Sequence, residues 1–292
     1  MTHDQGRSIG GAWRDPAFWM ALPAALFMLA VFVYPFLDGL WLSFSPASKG
    51  GFLANYIEFY EKSTLWSTIG TTMKLALPAT VINVGIAVPL AYRLRHRTRY
   101  QKVATTILTI PLTLGTVLIA EGMLTYFGPR GWFSQMVQAL GYDGPIHLTH
   151  NYWGVLISLV ISGFPFAFLL TLSYVTGIDP VLSRAAATLG APPFQQFRYI
   201  VLPLLMAGLA MTFCLSFVQA FSVFPSAVLL GAPAGPTRVI SIAAYEAAFE
   251  AYDYSMASAI AMIMGAVQLA VVAIVLSARG LLYRGPVSGG KG

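Results

Sequence analysis

The chain of 292 residues is 57% hydrophobic and only 10% charged, with a mean hydropathy of +0.70. Soluble globular domains carry charge on roughly a quarter of their residues, so this composition excludes an ordinary soluble domain. The formal net charge of +6 does not indicate nucleic-acid binding, because the basic residues flank apolar runs and are not interleaved with aromatic residues on one polar face.

Six apolar stretches are long enough to cross a bilayer as helices. A hydrocarbon core about 30 Å thick needs about 20 apolar residues, each rising about 1.5 Å, and a helix satisfies every backbone amide internally. The predicted spans are 17–44, 66–92, 103–127, 152–175, 199–230 and 254–276. The long first and fifth tracts are expected to tilt, to kink at Pro35 or Pro225, or to continue past the membrane surface. The sequence therefore predicts an all-α membrane protein with six transmembrane helices.

The first run follows Arg7 and Arg14, as the apolar core of a secretory signal would. Its apolar stretch is too long for a signal peptide, and no small-residue cleavage pattern ends it. We interpret it as a retained span that follows a cytoplasmic tail at residues 1–16. A single six-helix domain is then expected over residues 17–284, with a flexible tail at 285–292.

The positions of Lys and Arg predict the orientation of the spans. Twelve lie near the two termini and in the second and fourth loops, whereas four lie in the other three loops. By the positive-inside rule, both termini and the second and fourth loops are cytoplasmic. The basic cluster in the second loop is also suited to contact anionic membrane lipids.

The three outer loops are predicted to be surface connectors, too short to hold another soluble domain. In the second of them, apolar residues from Trp132 to Leu140 recur at helical spacing, which predicts a short helix that lies on the membrane or packs against the spans. His147 and His150 follow at a spacing of three residues. Two loop histidines are a weak metal signal, so no metal site is predicted.

The fourth loop, at residues 179–203, contains a predicted short helix between spans four and five. Asp179 and Pro180 are typical of a helix start, and Gly190 is typical of a left-handed stop. The helix of about ten residues would lie across the cytoplasmic mouth over about 15 Å. It could be a tight connector, but its run of small alanines would let the backbone of another protein approach closely.

The same loop resembles the EAA loop, E-A-A-x-x-L-G-A followed by F-x-x-I-x-L-P, of the inner-membrane permease subunits of binding-protein-dependent ABC importers. The matching residues are Ala185, Ala186, Leu189, Gly190, Ala191, Phe197, Ile200, Leu202 and Pro203. Weaker similarity in "YPFLDGLWLSF", "VPLAYRLRHR", "IPLTLGTVL" and "YDYSMASAIAMI" extends the resemblance over most of the chain. Arg184 stands where the family usually has glutamate, so a glutamate contact cannot be carried over.

The resemblance implies a multi-pass subunit of the bacterial cytoplasmic (inner) membrane, with the loop acting as a coupling helix that docks on a cytoplasmic ATPase dimer. The implied docking residues are Arg184, Ala185, Ala186, Leu189, Gly190, Ala191, Phe194 and Phe197. ATP and Mg would be bound by that ATPase, because this chain lacks the phosphate-binding G-x-x-x-x-G-K-[ST] loop and has no catalytic constellation, and is therefore not itself an enzyme.

Further partners implied by the resemblance are a second permease subunit, either related or identical, and a periplasmic or lipid-anchored solute-binding protein. The loop sequences are most similar to the branch that serves polyamines, ferric iron, thiamine, phosphonates or oxyanions, with sugars less favoured. An ion-coupled secondary transporter or channel remains the alternative, although such proteins usually carry more ionisable residues inside the membrane. A lipid-modifying enzyme would need a catalytic cluster that the sequence lacks.

Polar residues within spans are costly in lipid and are the candidates for a translocation path. The expected path residues are Lys74, Glu121, Ser216, Gln219, Phe221 and Phe224. Asn83, Gln268 and Thr212 are secondary candidates. Two alternatives stay open. Lys74 and Glu121 could form a structural ion pair, and the phenylalanines could serve helix packing instead of a gate.

Overall fold

The structure, a computed structural model, describes residues 16–45, 51–95, 99–129, 131–140 and 149–282. Within these ranges it is helical, without β-strands. Its α-helices are α1 (Pro16–Met28), α2 (Tyr34–Ser43), α3 (Ala54–Glu61), α4 (Ser63–Arg93), α5 (Arg99–Phe127), α6 (Trp132–Ala139), α7 (Tyr152–Thr176), α8 (Pro180–Thr188), α9 (Pro193–Gln196), α10 (Leu202–Phe221), α11 (Pro225–Leu230), α12 (Ile240–Tyr245) and α13 (Tyr254–Leu282).

Six helical segments among the described residues are long and apolar enough to cross a membrane, which confirms the predicted number of spans. They are built from α1 with α2, from α4, from α5, from α7, from α9 with α10, and from α13. Apart from Pro16, the predicted tails at 1–16 and 285–292 lie outside the described residues, as does His147.

The first span is irregular at its middle. A π-helical turn at Leu29–Val33 joins α1 to α2, and the Tyr34 amide donates to the carbonyl of Leu29, five residues earlier. Pro35, in the first turn of α2, has no amide to donate to the preceding turn. Most of this span is exposed, and α2 makes its tertiary contact with α13.

The centre of the bundle is formed by α4, α7 and α10, which pack pairwise along their lengths. Small residues let the helices approach closely, as is usual where lipid gives no hydrophobic driving force. A Cβ atom at Gly208 of α10 would lie 2.3 Å from Cγ of Tyr174 in α7. Near the cytoplasmic side the core is completed by Ala87, Ala91, Ala167, Phe168, Leu172, Val175 and Leu205.

The fifth span is shorter than predicted. Helix α10 ends at Phe221, the chain is non-helical up to Phe224, and Pro225 then starts the separate helix α11. The tract 199–230 is therefore interrupted close to Pro225, where a kink was one of the expectations, and the interruption is a full break between two helices. Proline fits the first turn of a new helix because its missing amide would have no partner there. Gln268 of α13 supports the break by donating from Nε2 to the Ser222 hydroxyl at 2.9 Å.

The third outer loop is also not the surface connector that the sequence suggested. Val239 and Ile240 are fully buried, and Ala243 is nearly so. The Ile240 amide donates to the Thr72 hydroxyl of α4 at 2.9 Å, which fixes the start of α12 against the second span. Helix α11 likewise packs on α5 and α7. This loop therefore folds back into the outer half of the bundle.

A cluster of polar contacts ties the first span to the last at the outer end. The Asn55 side chain of α3 donates to the carbonyl of Ser43 at 2.9 Å and to the hydroxyl of Ser255 at 2.7 Å. The Ser255 hydroxyl in turn donates to the carbonyl of Ser45 at 2.6 Å. Together these contacts hold the ends of α2, α3 and α13 in one place.

The short helix predicted in the second outer loop is confirmed as α6. Its Phe133 ring lies 5.0 Å from that of Phe127 at the end of α5, and the Ser134 hydroxyl donates to the carbonyl of Gly128 at 2.9 Å. Helix α6 thus packs against the third span, while Trp132 stays largely exposed.

Candidate functional site

The cytoplasmic loop between α7 and α10 has a well-defined helix at its centre. The Asp179 carboxylate accepts a hydrogen bond from the Val181 amide at 2.8 Å and so caps the start of α8. At the other end Gly190 has φ +84°, a conformation that favours glycine. The Gly190 amide donates to the carbonyl of Ala187 and the Ala191 amide donates to the carbonyl of Ala186, both at 3.0 Å. This pair of hydrogen bonds is the Schellman motif that ends a helix.

The loop is anchored to the end of the second span. Pro193 starts α9, and a π-helical turn at Phe197–Val201 leads into α10. The Phe197 ring packs on the Tyr92 ring of α4, with centroids 4.7 Å apart. The Arg95 guanidinium also lies over the Tyr92 ring, 4.1 Å from its centroid. Phe197, expected among the docking residues, is therefore half-buried against the bundle.

Several of the other expected docking residues form an exposed apolar surface at the cytoplasmic end. Leu189 is 88% exposed and Phe194 69% exposed. We call this the coupling surface, and it consists of Arg184, Ala185, Leu189, Gly190 and Phe194, all of which are exposed. Ala186 and Ala191 are half-buried beneath it. Apolar side chains presented to water in this way mark sites of protein interaction.

Part of the expected translocation path lines a polar cavity of about 60 Å³ between the central helices. We define the polar cavity by Asn83, Ser162, Ser216, Gln219, Ser222 and Phe224. Asn83 and Ser216 are each only 2% exposed, yet Asn83 Oδ1 and Ser216 Oγ have no hydrogen-bond partner in the described part of the chain. Buried polar atoms are normally paired, so these two oxygens are available to a ligand or to water.

The remaining path residues lie elsewhere. Phe221 is completely buried and packs on Phe217 with centroids 5.4 Å apart, so it belongs to the core and does not line the cavity. Lys74 and Glu121 are both exposed, and neither lines the polar cavity. No ion pair between Lys74 and Glu121 occurs in the described residues, so the structural pairing considered from the sequence is not formed.

Two cavity residues were not expected from the sequence. Ser162 lies in the apolar span α7, and Ser222 lies at the break after α10. The only sequence signal for Ser162 is the glycine that follows it. A Cβ atom added at Gly163 would lie 2.6 Å from Asn83 Nδ2, so only glycine leaves room for the Asn83 side chain. That close approach brings the Asn83 amide to the Leu159 carbonyl, to which Nδ2 donates at 3.3 Å.

Comparison with known proteins places this arrangement in a family. A family model described as "Binding-protein-dependent transport system inner membrane component" matches residues 83–284, a range that includes both the polar cavity and the coupling surface. A probable sulfate transport system permease of Prototheca wickerhamii is 26% identical over 216 residues, covering 74% of this chain and 83% of the relative. A probable permease for starch degradation products of Thermoanaerobacterium thermosulfurigenes is 25% identical, covering 91% and 92%.

A solved structure shares the fold. The crystal structure of a bacterial alginate ABC transporter in complex with an alginate pentasaccharide-bound periplasmic protein has a chain that matches with a TM-score of 0.77 and 22% identity, covering 92% of this chain and 96% of that one. The ion-coupled alternative is not favoured by any of these matches. The chain belongs to the family of inner-membrane permease components of binding-protein-dependent ABC importers.

Proposed function

We propose that the chain forms the solute pathway of an ATP-driven importer and is driven by a cytoplasmic ATPase dimer docked on the coupling surface. ATP and Mg bind to that ATPase. The observation that carries the proposal is the exposed apolar pair Leu189 and Phe194, held beside a helix with a capped start and a fixed stop. A loop that only connected two spans would not need to present these side chains to water.

Force applied to the coupling surface has a direct route into the membrane. Helix α8 joins the end of α7 through Asp179, and Phe197 joins the loop to Tyr92 at the end of α4. The helices α4, α7 and α10 that leave this point also enclose the polar cavity. Movement of the loop is therefore transmitted to the walls of the cavity, as alternating access requires.

Other surfaces of the bundle are free for further partners. The first and third spans are largely exposed among the described residues, so they suit lipid or a second permease subunit, related or identical. At the outer face a periplasmic or lipid-anchored binding protein delivers the solute. The alginate transporter supports this, since its structure includes a solute-loaded periplasmic protein.

The substrate classes expected from the resemblance gain unequal support. Oxyanions include the sulfate of the Prototheca relative. Saccharides, which the sequence favoured less, are the solutes of the starch-product permease and of the alginate transporter. The similar proteins give no support to polyamine, ferric iron, thiamine or phosphonate as the solute. We therefore propose sulfate or a saccharide as the transported solute.

Affinity purification in detergent tests the coupling surface. The wild-type chain should retain an ATPase subunit and ATP hydrolysis, whereas Leu189→Glu should lose both, because it places a charge at the centre of the apolar contact. Gly190→Pro should also lose them, because it removes the helix stop. Gln195→Glu is the matched control, since it adds the same charge at an exposed neighbouring site and should retain the ATPase. Wild-type chain that recovers no ATPase, even after crosslinking, would refute the proposal.

A further inference from the structure

The outer end of the bundle holds a groove of about 560 Å³ with aromatic walls. We call it the aromatic groove, and the residues of its lining that matter here are Phe224, Tyr245, Ala248, Phe249, Ala257 and Ser258. Three rings follow one another along it. Phe224 and Tyr245 have centroids 5.1 Å apart, and Tyr245 and Phe249 have centroids 5.0 Å apart.

These rings differ from the aromatic residues that only fill the core. Phe217 and Phe221 are fully buried, whereas Tyr245 is 43% and Phe249 61% exposed. The opposite wall is made of alanine and serine side chains of α13, which are too small to cover the rings. The groove is therefore shallow and open, and it leaves aromatic surface on which a flat apolar face can stack.

The groove and the polar cavity are neighbours, because Phe224 lines both. Its wall is also fixed in place. Tyr245 ends α12, and the π-helical turn at Glu246–Glu250 carries Phe249. Arg238 pairs with the Glu246 carboxylate, donating from Nε at 3.0 Å, and donates from Nη1 to the Thr64 carbonyl of α4 at 3.0 Å. The aromatic rings are thus presented on a braced turn.

The chemistry of this path discriminates between the solute classes. Among the residues that the structure describes, no Lys, Arg, His, Asp or Glu lines the groove or the cavity. A sulfate ion would enter without a cation to offset its lost hydration, which is costly. A sugar ring has an apolar face of C–H groups that suits the negative face of an aromatic ring. The polar cavity, at about 60 Å³, must widen before a sugar ring can enter and donate from its hydroxyl groups to the unpaired oxygens of Asn83 and Ser216.

We propose that the aromatic groove binds a neutral saccharide, stacking its rings on Phe249, Tyr245 and Phe224 in turn, and passes it to the polar cavity. This inference rests on the proposed function and deepens it, because it assigns the transported solute to the saccharides and not to sulfate. Phe249 and Tyr245 would be specificity-determining residues at the outer end of the path. The partly exposed rings would contact solute before the buried oxygens of the cavity do.

Site-directed labelling of the ATPase-bound complex in lipid nanodiscs tests the groove. Cys214, the one cysteine in the sequence, is buried, so a single cysteine introduced as Ala248→Cys can be followed with a hydrophilic maleimide. Trehalose, maltose and maltopentaose are the neutral probes, and sulfate and alginate pentasaccharide are the anionic ones. Ala251→Cys is the matched control, because it is exposed on the same outer face but outside the groove.

A neutral saccharide at about ten times its Kd should slow labelling of Ala248→Cys about tenfold, since only the unoccupied fraction reacts. Ala251→Cys should be unaffected, and adding Tyr245→Leu with Phe249→Leu should abolish the protection while the ATPase still co-purifies. The proposal would be overturned if only an anionic probe protected the cysteine, or if none of the probes did. So would an Ala248→Cys that is never labelled while Ala251→Cys is, because a second subunit would then cover the groove. Loss of the ATPase from the wild-type complex instead marks failure of the proposed function.

Discussion

The contact between α7 and α10 gives a sharp test of the packing. In Gly208→Ala the new methyl group would lie 2.3 Å from Tyr174 Cγ and 2.7 Å from both Cδ atoms. These are the atoms of the ring closest to the backbone, so the whole side chain must rotate away. Overpacking of this kind costs about 1–3 kcal/mol, while replacing glycine by alanine within a helix gains about 0.5–1 kcal/mol. We expect a net loss of stability of up to about 2.5 kcal/mol.

Thermal unfolding of the purified chain in detergent, followed by intrinsic fluorescence, measures this loss. Gly265→Ala in α13 is the control, because no atom lies within 4 Å of its new methyl group, and its melting temperature should stay level or rise. In a Tyr174→Ala background Gly208→Ala should become harmless, since the clash has been removed. Equal melting temperatures for Gly208→Ala and Gly265→Ala in the wild-type background would refute the reasoning.

Three further substitutions test the loop, the core and the aromatic groove. Asp179→Ala removes the cap of α8 and should cost about 1 kcal/mol of helix stability, visible as faster hydrogen exchange of the Val181 amide with the six spans unchanged; unaltered exchange would contradict the capping role. Phe221→Ala should lower stability by about 3–5 kcal/mol because it empties a fully buried site. Phe249→Ala should leave the melting temperature nearly unchanged, because that ring is mostly exposed, and a loss equal to that of Phe221→Ala would show that the ring is part of the core.

Hydropathy predicted the six spans well because the bilayer imposes a length on every helix that crosses it. Local chemistry likewise predicted α8, since a carboxylate followed by proline and a later glycine act within one turn of the backbone. The fate of the segment after α10 was beyond such reasoning. The burial of Val239 and Ile240 depends on Thr72, which is 168 residues from Ile240 along the chain. Sequence pattern alone carries no signal for that contact.

The residues expected along a path are only partly brought together, and the break after Phe221 explains why. Helical spacing relates Phe217, Phe221 and Phe224 only while one helix continues. Since α10 ends at Phe221, Phe224 turns toward the cavity and the groove while the other two rings stay in the core. Ser216 and Gln219 precede the break, and both line the polar cavity.

The hydrogen bonds of Asn55 have a consequence for biosynthesis. Asn55 and Ser255 are 200 residues apart in the chain, so the outer ends of the first and last spans cannot be joined until nearly the whole protein has been made. At about 5–20 residues per second, this leaves Asn55 without that partner for roughly 10–40 s. During this interval the first span rests in the bilayer without its link to α13. Fixing that span in place is thus among the last steps of assembly.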